Sequence, residues 1–202
     1  MLIVGCGPAG LVLAAQLAEF RTIATRIVER KPGPLELGQA DGVACRTVEM
    51  FEAFGFAEEL VAEAYRVNET VFWRPDSQDR SRIVRAGRVQ DVEDGLSECP
   101  HVILNQARVH DYLLRSMRRS SSRLEPNYGL EVVDVAVGDS ADRPVIVALR
   151  PAEGADAGDA TTVRAKYVVG CDGARSAVRR SIGRELHGDT ANPAWGVLDV
   201  WP

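Results

Sequence analysis

The chain has 202 residues, room for one ordinary domain, and its 46% hydrophobic and 26% charged content is that of a globular protein. A net charge of -5 without a basic stripe gives no electrostatic case for a nucleic-acid partner, and no apolar run reaches the roughly 20 residues of a membrane helix. Cys6, Cys45, Cys99 and Cys171 are scattered, as are the three histidines; neither set has metal-ligand or redox-motif spacing, so the reading expects no metal, reduced thiols, no secretion signal and a cytoplasmic protein.

The first element carries the most information. Leu2-Ile-Val-Gly-Cys-Gly-Pro-Ala-Gly10 is an apolar strand running directly into a G-x-G-x-x-G loop. Gly5 suits the tight turn, Gly7 a close backbone approach to a pyrophosphate, and Gly10 the packing of the next helix on the strand; Pro8 and Ala9 complete the loop. Leu11 to Phe20 is predicted helical, and Thr22 to Glu29 is predicted to be the second strand. Glu29 closes it at the spacing where an acid accepts hydrogen bonds from adenosine ribose hydroxyls. Arg30 and Lys31 follow. They suit either a 2'-phosphate, which would favour NADP, or the adenosine edge and solvent.

Lys31-Pro-Gly-Pro34 stops the strand and opens a loop. Arg46 to Phe54 and Ala57 to Tyr65 read as short helices around Gly55. Val67 to Trp73, Arg82 to Arg85 and Arg88 to Val92 read as a separate antiparallel sheet. His101 to Leu104 is a further short strand, and Gln106 to Arg119 an amphipathic helix with Val109, Leu113 and Met117 in one stripe. His110, inside that helix, reads as structural. Val132 to Val137 and Val145 to Leu149 alternate like a hairpin, and Ala152 to Thr162 reads as a solvated loop.

Val163 to Val169 is predicted to be one strand entering Gly170-Cys-Asp-Gly-Ala-Arg-Ser176, with a helix from Arg175 to Ile182. This second turn again sets glycines and a carboxylate where a strand gives way to a helix, the place where open α/β sheets bind ligands. Asp172 suits a ligand contact and a helix cap equally. Both ends look cut: only Met1 to Val4 precede the glycine loop, and the chain stops within a β-rich run, Trp195 to Trp201. An N-terminal piece of a longer protein is expected.

Gly5 to Gly10, Gly38-Gln-Ala-Asp-Gly-Val-Ala-Cys-Arg-Thr47, Leu104-Asn-Gln-Ala-Arg-Val-His-Asp111 and Asp172-Gly-Ala-Arg-Ser-Ala-Val-Arg179 resemble the single-component FAD-dependent aromatic hydroxylases. The likeness is to the phenol 2-monooxygenase and 3-hydroxybenzoate 4-monooxygenase branch, and runs over nearly the whole chain. It implies an α/β fold: a Rossmann-like FAD-binding domain of glutathione-reductase and aromatic-hydroxylase type with an additional antiparallel sheet, incomplete at the C-terminus. Residues 1–202 would be its N-terminal portion, with substrate-domain strands inserted at about 67–104 and a strand at 195–201 leading into the rest. The family's third fingerprint is a Gly-Asp motif expected much further along than these 202 residues reach.

The resemblance further implies FAD as cofactor, NADPH and O2 as co-substrates, a C4a-hydroperoxyflavin as oxygen donor, a small phenolic substrate and a homodimeric parent. It places Gly38, Gln39 and Ala40 beside the isoalloxazine and Gln106 near the ribityl or phosphate region, with plain turn and first-turn roles as alternatives. It sets Asp41 in the loop between flavin and substrate. There a carboxylate can accept the proton of a phenol whose pKa is about 10; the alternative is an Asx-turn with Gly42. It brings His101 near a substrate carboxylate, which a cationic or donor imidazole would suit; the alternative is a strand-end histidine facing solvent. Arg175 and Arg179 would hold the turn or guide NADPH, or simply cover a solvated helix face. Two further readings compete: a non-catalytic truncated FAD-binding module, and a nicotinamide dehydrogenase with an ordinary Rossmann domain. The 202 residues alone are expected to turn over no substrate.

Overall fold

The computed structural model describes residues 1–38, 40–152, 160–189, 191, 193–194 and 196. In chain order the elements are β1 (Leu2–Val4), α1 (Pro8–Ala18), β2 (Arg26–Val28), β3 (Gly42–Val43), α2 (Cys45–Ala53), α3 (Ala57–Glu63), β4 (Tyr65–Arg66) and β5 (Glu69–Pro75). They continue with β6 (Ile83–Gln90), β7 (Val102–Ile103), α4 (Gln106–Arg119), β8 (Leu130–Val137), β9 (Val145–Pro151), β10 (Thr161–Ala165), β11 (Val168–Gly170) and α5 (Ala177–Ser181).

β1 lies at the centre of a parallel sheet between β11 and β2, with Ile3 opposite Val169 on one side and Ile27 on the other. Parallel strands are covered on both faces, and strand alternation divides this one cleanly. Ile3 and Ile27 join a core with Leu11, Ala14 and Ala18 of α1 and Leu113 and Met117 of α4. Leu2, Val4 and Val28 point the other way and pack on Val132, Val135, Val147 and Leu149 of the antiparallel sheet β10-β9-β8. The three layers are therefore helices, parallel sheet and antiparallel sheet. Small residues on α1 (Ala14, Ala15 and Ala18, all buried) let that helix sit close between β1 and α4.

α4 has the predicted bounds. Asn105 caps it by accepting a 2.8 Å bond from the Ala107 amide, and Arg118 and Arg119 complement the negative end of its dipole. Other predictions need correction. Val163 to Val169 is two strands: β10 pairs with β9, the chain bends at Lys166 and Tyr167, and β11 pairs with β1. The Tyr167 carbonyl accepts from the Leu2 amide at the crossing. The runs at 82–85 and 88–92 are one strand, β6, whose register with β5 shifts between Phe72 and Trp73. There a bulge, not a turn, takes up the extra residue. β3 and β4 flank β7 and carry no pattern of their own, because two residues are too short for one. Of the strand expected at 195–201 all but Gly196 lies outside the described residues, as does Gln39.

Candidate functional site: a cleft between two strand-to-helix turns

The glycine loop and the turn after β11 touch. Gly5 adopts φ +100°, and a methyl group there would stand 2.4 Å from the Cys171 carbonyl oxygen and 2.9 Å from the Asp172 Cα. Gly10 rests on the loop itself, its missing Cβ only 2.0 Å from the Gly5 carbonyl oxygen. Gly7 is the opposite case: no protein atom lies within 4 Å of where its Cβ would be. It precedes α1 as an N-cap without a side-chain hydrogen bond, and Pro8 begins the helix. The first-turn amides are left for an outside acceptor, and the helix end favours an anion.

In front of this loop lies a cavity of about 580 Å³ whose wall includes Gly5, Gly7 and Pro8 on one side and Asp172 and Gly173 on the other. Glu29, Arg30 and Lys31 form its β2 end, and Gln106 and His110 of α4 its flank. Ala9 and Gly10 stand outside the lining, as do Gly38 and Ala40. Gly38 instead presses its backbone on the start of α4: a Cβ there would be 2.7 Å from that of Gln106. Ala40 is exposed.

Glu29 is tied into the loop it faces. One carboxylate oxygen accepts from the Cys6 amide at 2.7 Å and the other from the Lys31 amide at 2.9 Å. Each oxygen keeps lone-pair capacity for a ligand hydroxyl. Asp172 makes the cap, one of the two roles weighed for it, and stands where the other would be exercised. It lines the cavity, and it caps α5, accepting from the Ser176 hydroxyl (2.6 Å) and from the Ala177 (2.6 Å) and Val178 (3.2 Å) amides. Arg175 lines the cavity, whereas Arg179 folds back onto the Ala174 carbonyl.

The neutral groups of the cleft are held neutral. Burial first, and then the charge of Glu29, pushes the Cys6 thiol up to about 12, so it is no thiolate nucleophile. Burial likewise raises the Tyr128 phenol, and burial followed by the nearby Lys31 ammonium lowers the His110 imidazole. His110 is only 5% exposed, and its Nε2 finds no hydrogen-bond partner among the described residues. The sequence reading of this histidine as merely structural missed that. An uncapped helix start, an open space beside Gly7, an anchored acid and an unsatisfied imidazole nitrogen suit a dinucleotide.

Asp41 and His101 stand elsewhere, immediately before β3 and β7 of the sheet β3-β7-β4. The Leu104 amide donates to the Asp41 carbonyl at 2.8 Å. The Nε2 of His101 lies 3.4 Å from where a Gly42 Cβ would be. The ring is not facing solvent freely: its Nδ1 is 2.6 Å from Asp91 Oδ2 and both side chains are largely shielded. Asp91, the first residue after β6, carried no sequence signal. His101 also lines a second cavity of about 780 Å³ together with Arg66 and Arg88.

Comparison with known proteins decides which dinucleotide fits. Residues 1–202 match the family model described as FAD binding domain. The chain belongs to that family. It is 64% identical over 201 residues to a 3-hydroxybenzoate 4-monooxygenase of Comamonas testosteroni, covering 99% of this chain and 32% of the relative. It is 42% identical to the FAD-dependent monooxygenase terD of Aspergillus terreus, covering 100% of this chain and 33% of that one. Among solved structures, the flavin-dependent monooxygenase PieE in complex with FAD and substrate superimposes with a TM-score of 0.76 at 25% identity, over 93% of this chain and 32% of PieE. The chain thus spans about a third of the length of these relatives. The expected FAD-binding architecture of aromatic-hydroxylase type is the one observed, and the cofactor is FAD. Among the described residues no helix is long and apolar enough to cross a membrane.

Within an FAD-binding domain, Glu29 has two attachments to lose. Glu29→Ala is expected to weaken FAD binding about thirtyfold, roughly 2 kcal/mol for one charged hydrogen-bonding group and a loosened loop. Fluorescence titration of the apoprotein measures it; an affinity within twofold of the original would remove Glu29 from the site.

Proposed function

We propose that the chain is the FAD-binding part of a flavin-dependent monooxygenase that hydroxylates a small phenolic compound, of the phenol or 3-hydroxybenzoate type, using NADPH and O2. The observation that carries this reading is the single cleft shared by Gly7, Glu29 and Asp172, together with the likeness to a 3-hydroxybenzoate 4-monooxygenase. Bound FAD supplies the redox chemistry that activates O2. Gly5, Gly7, Pro8, Ala9 and Gly10 form the pyrophosphate loop, Glu29 takes the ribose hydroxyls, and Arg30 and Lys31 flank the adenosine. Asp172 and Gln106 close the cleft, and the loop from Gly38 to Ala40, whose two ends stand outside the cavity lining, would carry the residues that the resemblance assigns to the flavin ring.

Asp41 is the base. A phenol with a pKa of about 10 is protonated at neutral pH, and a nearby carboxylate that takes its hydroxyl proton makes the ring electron-rich as oxygen is transferred. His101 is the substrate-positioning group. Asp91 grips Nδ1, which fixes the ring and leaves Nε2 beside Gly42, the residue that follows Asp41 in the chain. Holding a substrate carboxylate there requires both ring nitrogens protonated, an imidazolium between two carboxylates. The likeness to a 3-hydroxybenzoate 4-monooxygenase supports a hydroxybenzoate over a plain phenol. The substrate-domain assignment of the strands within 67–104 belongs to the same proposal.

The test is the complete polypeptide carrying this chain. It should purify with flavin absorption, and 3-hydroxybenzoate should stimulate NADPH oxidation with formation of a dihydroxybenzoate. A colourless protein that binds only a nicotinamide nucleotide would overturn the reading in favour of a dehydrogenase. Bound flavin without any substrate-stimulated oxidation would leave only a non-catalytic FAD-binding module.

A further inference from the structure

The apolar side of α4 is built from Val109, Leu113, Leu114 and Met117 with Tyr112. His110 is the exception among its buried residues. It lies one helical turn beyond Gln106, and residues four apart share a helix face; both line the dinucleotide cavity. A buried polar atom without a partner costs stability, and an apolar side chain of similar volume would remove that cost. Such violations concentrate at functional sites. The imidazole feels the charges of Lys31, Asp111 and Glu29, and two of these line the cavity at its β2 end. Gln106, on the same flank, packs against Gly38. The residue thus lines the cleft while its Nε2 is itself closed off from solvent and unpartnered among the described residues.

We propose that His110 is a cofactor-binding residue whose imidazole hydrogen-bonds the ribose–pyrophosphate segment of FAD. A neutral imidazole has one donor and one acceptor nitrogen, and the two can exchange places by a ring flip. It can thus meet either a ribose hydroxyl or a phosphate oxygen. The cationic form is disfavoured by burial and by Lys31, so the contact is a hydrogen bond and not an ion pair. The residue is structurally unsatisfied in the free protein and satisfied in the complex. That predicts opposite effects of one substitution on stability and on binding.

The experiment uses apoprotein of the complete polypeptide, titrated separately with FAD, ADP and riboflavin. His110→Leu is expected to weaken FAD and ADP about tenfold, the loss of one hydrogen bond in a buried site, and to leave riboflavin unchanged. The melting temperature of the apoprotein should equal or exceed that of the original. His110→Gln, which keeps a donor and an acceptor, should retain most of the affinity. Unchanged FAD affinity in His110→Leu would overturn the proposal, as would weakening confined to riboflavin. A fall in apoprotein stability that accounts for the lost affinity would also overturn it. Heteronuclear NMR of the histidine-labelled original protein gives a result that does not depend on the variants folding: the His110 ring-nitrogen resonance should move when ADP is added, and a stationary resonance would refute the contact. None of these readouts needs hydroxylation, so they stand or fall apart from the monooxygenase reading.

Discussion

Gly5→Ala is expected to destroy both the fold's stability and FAD binding, whereas Gly7→Ala, two residues away, is expected to destroy only the binding. At Gly5 the backbone sits at φ +100°, where an L side chain is strained, and the new methyl would meet the Cys171 carbonyl at 2.4 Å. The obstruction is backbone, held by β11 and by the Cys171 amide's 2.7 Å bond to the Val4 carbonyl, so no rotamer change relieves it. Strain and overpacking together are worth on the order of 4 kcal/mol, a large share of the 5–15 kcal/mol that holds a typical domain. Gly7 has φ -69° and open space around its missing Cβ. Alanine there costs the free protein little, but its methyl enters the space in front of α1 and should lower FAD affinity at least about a hundredfold, roughly 2.7 kcal/mol. Urea unfolding and FAD titration of the two variants separate these outcomes. If Gly7→Ala bound FAD normally, the pyrophosphate would not lie at this helix end.

The contrast shows which parts of the site were readable in the sequence. The glycine loop, Glu29 and the turn at Asp172 each depend on a short contiguous string, strand then turn then helix, whose geometry is local. α4 was readable to the residue because its cap, its stripe and its basic end agree. What escaped depends on contacts distant in sequence. The run from Val163 to Val169 looks like one strand because valines and a tyrosine bracket it without a Gly or Pro breaker; only its pairing with two different sheets divides it at Lys166 and Tyr167. Asp91 became visible only when β7 brought His101 to it. His110 was hidden by its neighbours: in a helix stripe a buried histidine looks like any other core residue until its nitrogen is found without a partner.

Asp41→Asn in the complete polypeptide is expected to reduce the hydroxylation rate about a hundredfold or more, the usual contribution of a positioned base, and to leave FAD affinity within about twofold. The separation follows from position. Asp41 is exposed, and its backbone carbonyl, not its side chain, makes the bond to Leu104 that anchors β3. Asparagine preserves that bond and the shape of the side chain, and removes only the capacity to take a proton. The deficit should shrink as pH rises towards the phenol's own pKa of about 10, because the substrate then arrives increasingly as phenolate and needs no base. A structural role would give no such rescue, since lost packing does not depend on the substrate's protonation. Stopped-flow single-turnover rates across that pH range, with flavin content measured on the same samples, distinguish the two. Equal loss of flavin and of rate, unrelieved at high pH, would make Asp41 a turn residue and return the search for the base to the remainder of the polypeptide.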